Sequence, residues 1–526
     1  MTARRLLVAE AVRTARGVPG DAILIEDEHV VAVGAHDALR GPNTIVEEYP
    51  GVYLLPGLTD AHMHPVAYAA SLIGTSLRGT TSMPELRSEL SAAAEALPVG
   101  DPLIALRFND EALAERRLPT RIDLDEAVGN RPTLVHRYCG HVAVANTAAL
   151  QLAGIDSATE DPTGGSIDRD PDGVPTGVLR ETAIDLVSTL LDASGTVTEE
   201  ALIDSLTRLA GVGLTSIGAI LGLGDGPWAS LGSEVDAVVA VADRLPISID
   251  AFVIAHTVEQ LAEAARRLDG AGSRLRWVGY KGFADGSLGG HTAAMHAPFA
   301  DRPDEAGMMR LNETDRDLAE AALGMGGMVA IHAIGDRANS AVIDLYEDLI
   351  ANGTDPGRLR IEHASVLDRA DIGRIARLGI VASVQPAFLG SESEWIIDRV
   401  GPDRIVSTYP FASLDHAGVR LCGGSDSPVE SPDPWAGMAL ARDRAGVTQS
   451  EGLLPDRALS LFTDGAAIAL RRPVPLSPGS YADVIAVDRD PVASTPDELR
   501  RIVVHETWVH GERVEVDRSL PLCRFP

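Results

Sequence analysis

Residues 327–379, GMVAIHAIGDRANSAVIDLYEDLIANGTDPGRLRIEHASVLDRADIGRIARLG, carry the pattern on which the fold turns. A short apolar run, GMVAIH, leads into NSAVIDLYEDLIANG, whose apolar residues recur with the helical period and stop at a glycine. The same order returns in RLRIEHASV and DRADIGRIARLG. Glycine just past the last periodic residue is a common helix stop. Strand–helix alternation of this kind means βαβ units and a parallel sheet.

Outward from this stretch the alternation continues. GVYLLPG, SIDAFVIA, RLRWVGYKGFADG, IVASVQPAF and VRLCGGSDS are strand-like, while TVEQLAEAARRLDG and DRDLAEAALGMGG carry helical apolar faces. The class is α/β, and the number of units fits a (β/α)8 barrel better than a short open sheet. Both ends of the chain read as β-structure: RLLVAEAV, DAILIEDEHVVAVG and TIVEEYPGVYLL at the start, ADVIAVDRDP and RIVVHETWVHGERVEV at the end, the last a hairpin about His510-Gly511. One β-rich domain from residues 1–55 plus 475–526 is expected beside a barrel at 56–474. Residues from about 75 to 205 are too long for one connection and carry Pro/Gly-rich loops such as EDPTGGSIDRDPDGVPTG. They read as an insertion that caps one face of the barrel.

The chain has 526 residues, of which 45% are hydrophobic and 23% charged, a globular composition. Its 45 basic and 76 acidic residues leave a net charge of −31. That argues against nucleic acid and anionic membrane surfaces, both of which select clustered Lys and Arg. The three cysteines, Cys139, Cys422 and Cys523, form no CxxC pair and no disulfide framework, which suits a reducing compartment. The basic N-terminal run is broken by Glu10 and is too weak for a signal peptide. No apolar stretch approaches the roughly 18 residues of a membrane span. A soluble, cytoplasmic protein is expected.

The chemistry begins at PGLTDAHMHP, where His62 and His64 are separated by one residue. On an extended strand end, residues i and i+2 face the same side, so two imidazoles point at one spot. Alone this is a weak metal signal. Other strand-like runs, however, end in or carry a ligand-type residue: Lys281 in RWVGYKGFADG, His332 in GMVAIH, His363 after RLRIE, and Asp426 after RLCGGS. Any one of these reads as a core histidine or a helix cap; together, at successive strand ends, they stand where barrels build active sites.

These residues, with GHVAVANTAAL, DPDGVPTGVLRETA, KGFADGSLGGHTA, HAIGDRAN, RIEHAS and GGSDSPVESPDPW, resemble the amidohydrolase superfamily, in its amidohydrolase 3 branch of YtcJ-like and N-substituted formamide deformylase-like proteins. The resemblance runs from about residue 51 to 436, and ADVIAVDRDP fits as well. It implies a (β/α)8 barrel, a small β-sandwich from the two termini and an inserted lid. It also implies that His62, His64, Lys281, His332, His363 and Asp426 ligate one or two divalent metal ions, zinc being the first choice. Lys281 would be carboxylated by CO₂ when it bridges two metals. The implied mechanism has metal-activated hydroxide attacking a carbonyl, with Asp426 as proton shuttle. Three positions depart from the family pattern: Cys139, the segment GLTSIGAI, and His291, all on the substrate side.

Further expectations are softer. His141 in the insertion, Gln385 and Phe388 are read as substrate-contacting residues, Asp336 as a helix cap, and Glu181 as a helix residue facing solvent. DRDPDG imitates an EF-hand start, but Leu179 stands where that loop needs Glu, so a polar turn is expected. No GxGxxG after a strand, GxxxxGK[ST] or GxSxG is found. The expected activity is hydrolysis of a C–N bond in a small-molecule substrate, on N-acyl or N-formyl amines. Alternatives are a cyclic amidohydrolase, a carbamate hydrolase, a deaminase, or an idle metal-binding scaffold. A homodimer is the expected assembly.

Overall fold

Eight strands form one parallel sheet in the computed structural model, which describes residues 4–191, 197–224 and 229–517; Cys523 lies outside them. They are β1 (Leu58–Met63), β2 (Leu214–Leu221), β3 (Ser248–Val253), β4 (Leu275–Phe283), β5 (Met328–Ala333), β6 (Leu359–His363), β7 (Val381–Val384) and β8 (Arg420–Gly423). Each pairs in parallel with its neighbour in chain order. The two sheet edges meet just past β8, where the Asp426 amide donates to His62 O and the His64 amide to Ser427 O, both at 2.8 Å. Every residue of β1, β2, β3, β5, β6 and β7 is buried, because helices cover the sheet outside and side chains fill it inside. That is why these strands read as short apolar runs rather than as alternation.

The helices follow their local signals. Arg369–Leu378 starts at Asp368, whose carboxylate accepts the Asp371 amide at 2.8 Å, and stops at Gly379 in the left-handed region (φ 76°). Val258–Asp269 opens on a Thr257/Gln260 capping box. Asp336 is a correction: Gly335 is the cap of helix Asp336–Ala351, and Asp336 is its first residue, accepting the His296 amide at 2.8 Å.

The two ends of the chain share a second sheet of seven strands. In order these are Glu512–Arg513, Val504–Val509, Val484–Val487, Thr44–Pro56, Arg4–Thr14, Gly17–Glu26 and His29–Gly34, joined in a single continuous ladder. Leu7, Ile23, Leu54, Val484 and Trp508 form its core. Thr44–Pro56 passes into β1 through Gly57, where a Cβ would lie 2.2 Å from Thr215 Oγ1, so only glycine fits.

A third sheet, of six strands between Thr75 and Glu181, has apolar clusters of its own, one around Leu86, Phe108 and Val144, the other around Leu134, Ile167 and Leu179. Helix Glu199–Gly211, which begins within the span expected for the insertion and ends beyond it, packs Leu202, Leu206 and Leu209 into the barrel core, because it leads directly into β2. The DRDPDG segment is a polar turn in which Asp170 accepts the amides of Asp172 and Val174. Among the described residues no helix is long and apolar enough to cross a membrane.

Candidate active site

At the C-terminal end of β1, His62 and His64 present Nε2 to the same carboxylate oxygen, Asp426 Oδ1, at 3.3 and 3.4 Å. Ligand-type atoms of these three residues lie within 4.8 Å of one another. Asp426 is brought there by the backbone bond that joins the loop after β8 to β1, and it holds a left-handed φ of 56°. His363, at the end of β6, is also left-handed (φ 75°). Such strain in non-glycine residues persists only where the surroundings over-determine it.

Polar neighbours orient the rings. His62 Nδ1 donates to Glu362 Oε2 at 2.5 Å, and Glu362 is gripped by Arg360 through Nε–Oε1 at 2.8 Å and Nη2–Oε2 at 2.9 Å. Arg360 also reaches across the barrel interior to Ala61 O at 3.0 Å. His363 Nδ1 donates to Gln385 Oε1 at 2.8 Å. The His363 ring lies 5.0 Å from His62 and 4.4 Å from His332. His332 sits beside the trio rather than in it: its Nε2 donates to Gly286 O at 3.0 Å. Lys281 is fully buried, with Nζ 4.0 Å from the centre of the Phe283 ring, in the electrostatic field of Glu362 and Asp426.

Burial and neighbours set the charges. Burial would raise the Asp426 carboxyl, but His62, His64 and His363 hold it well below its ordinary range. Burial pushes His363 down to about 3 and lowers His64. It disfavours charge on His62 too, but Asp426 and Glu362 outweigh it and raise that group. Burial brings the Lys281 amine down to about 8. The result is a buried carboxylate between His62, held toward its charged form, and His64 and His363, which burial shifts toward the neutral form with a lone pair available.

Against this centre opens a small pocket lined by Asp426, His332, His141, Phe388, Tyr138 and Glu392 among others. The third sheet supplies His141, whose ring lies 5.0 Å from that of His332. His141 Nδ1 donates to Glu181 Oε2 at 2.9 Å, and Arg310 pairs with the same oxygen at 2.7 Å. Glu181 is therefore a correction: it ends the buried strand Pro175–Glu181 and ties the third sheet to the barrel, because pairing with Gly165–Arg169 draws it into a sheet instead of a helix. Gln385 accepts His363 Nδ1 through Oε1, while its buried Nε2 has no hydrogen-bond partner among the described residues. Phe388 lies nearly parallel to His363, 5.8 Å away. His291 pairs with Asp301 at 3.2 Å and lines an outer groove.

The sequence reading missed Glu362, Glu181, Asp285 and Glu392. Glu362 had a signal, since Arg360 and Glu362 at i and i+2 of a strand face the same side. Asp285 accepts the amides of Ile334, Gly335 and Ala294 and lies 3.4 Å from His332 Nε2; nothing local announces it.

Residues 50–515 match the profile of the amidohydrolase family. The chain is 30% identical to the putative amidohydrolase YtcJ of Bacillus subtilis (strain 168), over 94% of this chain and 96% of that one. It is 28% identical to N-substituted formamide deformylase of Arthrobacter pascens, over 97% and 98%. Among solved structures, an uncharacterized metal-dependent hydrolase from Pyrococcus horikoshii OT3 superposes with a TM-score of 0.73 at 26% identity, over 94% of this chain and 99% of that one.

Proposed function

The chain belongs to the amidohydrolase family, and we propose from this that it hydrolyses a C–N bond of amide type in a small molecule, on N-acyl or N-formyl amines, with the sheet of residues 75–181 as the lid over the barrel mouth. The likeness to a formamide deformylase supports the substrate class. The observation that carries the reading is Asp426 Oδ1 standing within 3.4 Å of both His62 Nε2 and His64 Nε2.

The donors fit a divalent cation. The Asp426 carboxyl is held well below its ordinary range though buried; among the described residues it pairs with no Lys or Arg, and the buried Nδ1 of His64 has no hydrogen-bond partner. His62, His64 and Asp426 would hold the ion, and His363, His332 and Lys281 would complete a second position, His332 by turning from Gly286 O. When bound, zinc or a similar ion supplies Lewis acidity and makes water a better acid. Asp426 takes the proton of the attacking water and returns it to the leaving nitrogen, which departs poorly as an anion. Glu362 and Gln385 hold His62 and His363 in one tautomer. The depressed Lys281 amine is partly neutral near pH 8, the form that adds CO₂ to become an anionic ligand.

Metal analysis combined with a panel of N-formyl and N-acetyl amines, carbamates and cyclic amides tests this. The expected result is one or two metal ions per chain, turnover confined to open-chain amides, and loss of both metal and turnover in His62→Ala. A metal-loaded protein that hydrolyses carbamates or cyclic amides instead, or none of the panel, overturns it. Intact-mass measurement with and without bicarbonate checks Lys281.

A further inference from the structure

Helix Phe388–Glu392 forms one wall of the pocket whose other wall holds Asp426 and His332. We propose, resting on the amide-hydrolysis reading above, that the substrate carries a protonated amine remote from the scissile bond, held by the Glu392 carboxylate and the Tyr138 hydroxyl.

Glu392 is 8% exposed and lines the pocket. Its carboxylate accepts the Tyr409 hydroxyl at 2.5 Å, and it forms no ion pair among the described residues. Neither nearby guanidinium pairs with it. Arg399 binds Asp301 at 2.7 Å and Glu111 at 2.9 Å. Arg137 binds Asp110 through Nε at 2.5 Å and lies over the Tyr138 ring, 4.5 Å from its centre, with Nη1 and Nη2 buried and without a hydrogen-bond partner among the described residues. A second buried carboxyl, Glu430, adds repulsion and has Arg78 and Arg107 as its own electrostatic neighbours. Burial pushes Glu392 up to about 7 in the protein alone, so an arriving cation would recover a charge the fold suppresses.

Tyr138 supplies an independent observation. It lines the same pocket, is 8% exposed, and its hydroxyl is buried without a hydrogen-bond partner among the described residues. A buried hydroxyl left unpaired is costly, which points to a donor that belongs there. An ammonium offers three N–H donors, enough for Glu392 and Tyr138 together. An anion in the pocket would face Glu392 and Asp426 at once, and an apolar group would leave the carboxyl without a counter-charge and the phenol unpaired. The net charge of −31 also steers cations toward the protein.

Matched acetamides test this: N-acetyl-1,n-diaminoalkanes with two to six methylenes, their N-alkylacetamide isosteres, and N-acetyl-ω-amino acids. The wild type should prefer the cationic member over its neutral isostere by about tenfold or more in kcat/KM, with the anion poorest. Glu392→Gln should erase about 10-fold to 100-fold of that preference, and Tyr138→Phe a smaller part. Should Glu392→Gln misfold by circular dichroism, Tyr138→Phe, which deletes one unpartnered oxygen, still decides. Calorimetric binding of the same compounds to Asp426→Asn reads the preference without turnover. Equal or reversed preference in binding, or a preference untouched by either variant, overturns the proposal. Preferential binding of the cation without hydrolysis of any member by the wild type would sink the hydrolase reading and leave the subsite standing.

Discussion

Asp250 and Asp426 are the same residue type, both buried in the barrel, at opposite ends of it. Asp250, near the start of β3, is gripped by Arg276 Nε at 2.6 Å and Arg472 Nε at 2.5 Å. Asp426, past the end of β8, faces the imidazoles of His62 and His64 and pairs with no Lys or Arg among the described residues. Both carboxyls are held below their ordinary range against burial, the first by guanidinium groups that belong to the chain, the second by imidazoles that burial tends to strip of charge. A permanent internal counter-charge makes a brace. A carboxylate surrounded by lone pairs is left to bind something from outside. The division matches the general arrangement of such barrels, with stability at the N-terminal face and chemistry at the C-terminal one.

The comparison can be broken most directly at Asp426. Asp426→Asn should retain much of the metal and melt close to the wild type, while kcat falls by about 10²–10⁴-fold, as expected for loss of a proton-transfer group. Full turnover in that variant would remove the shuttle role. Asp250→Asn should do the reverse. It leaves Arg472 buried and half-exposed Arg276 without their partner, and should lower stability by about 2–3 kcal/mol, somewhat less than for a fully buried pair. Turnover per folded molecule should hold. The pH dependence follows from the depressed Asp250 carboxyl. Its stabilisation is complete above the unfolded-chain value of about 3.9 and is lost as pH falls through the lower folded value. Urea melts at pH 7, 5 and 3 should thus show the gap between wild type and Asp250→Asn closing at the acid end.

Two smaller effects sharpen the contrast. Glu362→Gln weakens the hold on His62 and the counter-charge of Arg360, and should cost about 10-fold to 100-fold in metal affinity, measured by competition with a chelator. Tyr138→Phe removes a buried hydroxyl with no hydrogen-bond partner among the described residues. It should raise the melting temperature slightly or leave it unchanged, a gain within about 1 kcal/mol.

Much of this was legible in the chain itself. The strand runs announced the barrel because strands buried on both faces are apolar throughout. His62 and His64 announced a shared focus because two residues span one pleat. Glu181 misled because LRETA has helical composition, and only pairing with Gly165–Arg169 draws it into a strand that ends against Arg310. Gln385 stood out as a strand-end residue, but nothing local showed that its side-chain oxygen would accept His363 Nδ1.

Local spacing and periodicity by themselves determined the class of fold, the order of its units and the facing of the first two histidines, because those depend on neighbours a few residues apart. Only tertiary structure decided which acids matter. Glu362 grips His62 across 300 residues, Glu181 bridges His141 and Arg310, and Glu392 stands in the pocket wall without an ion pair among the described residues. A carboxylate's role follows from the charges that surround it after folding, and those are brought together by chain closure around the barrel rather than by sequence proximity.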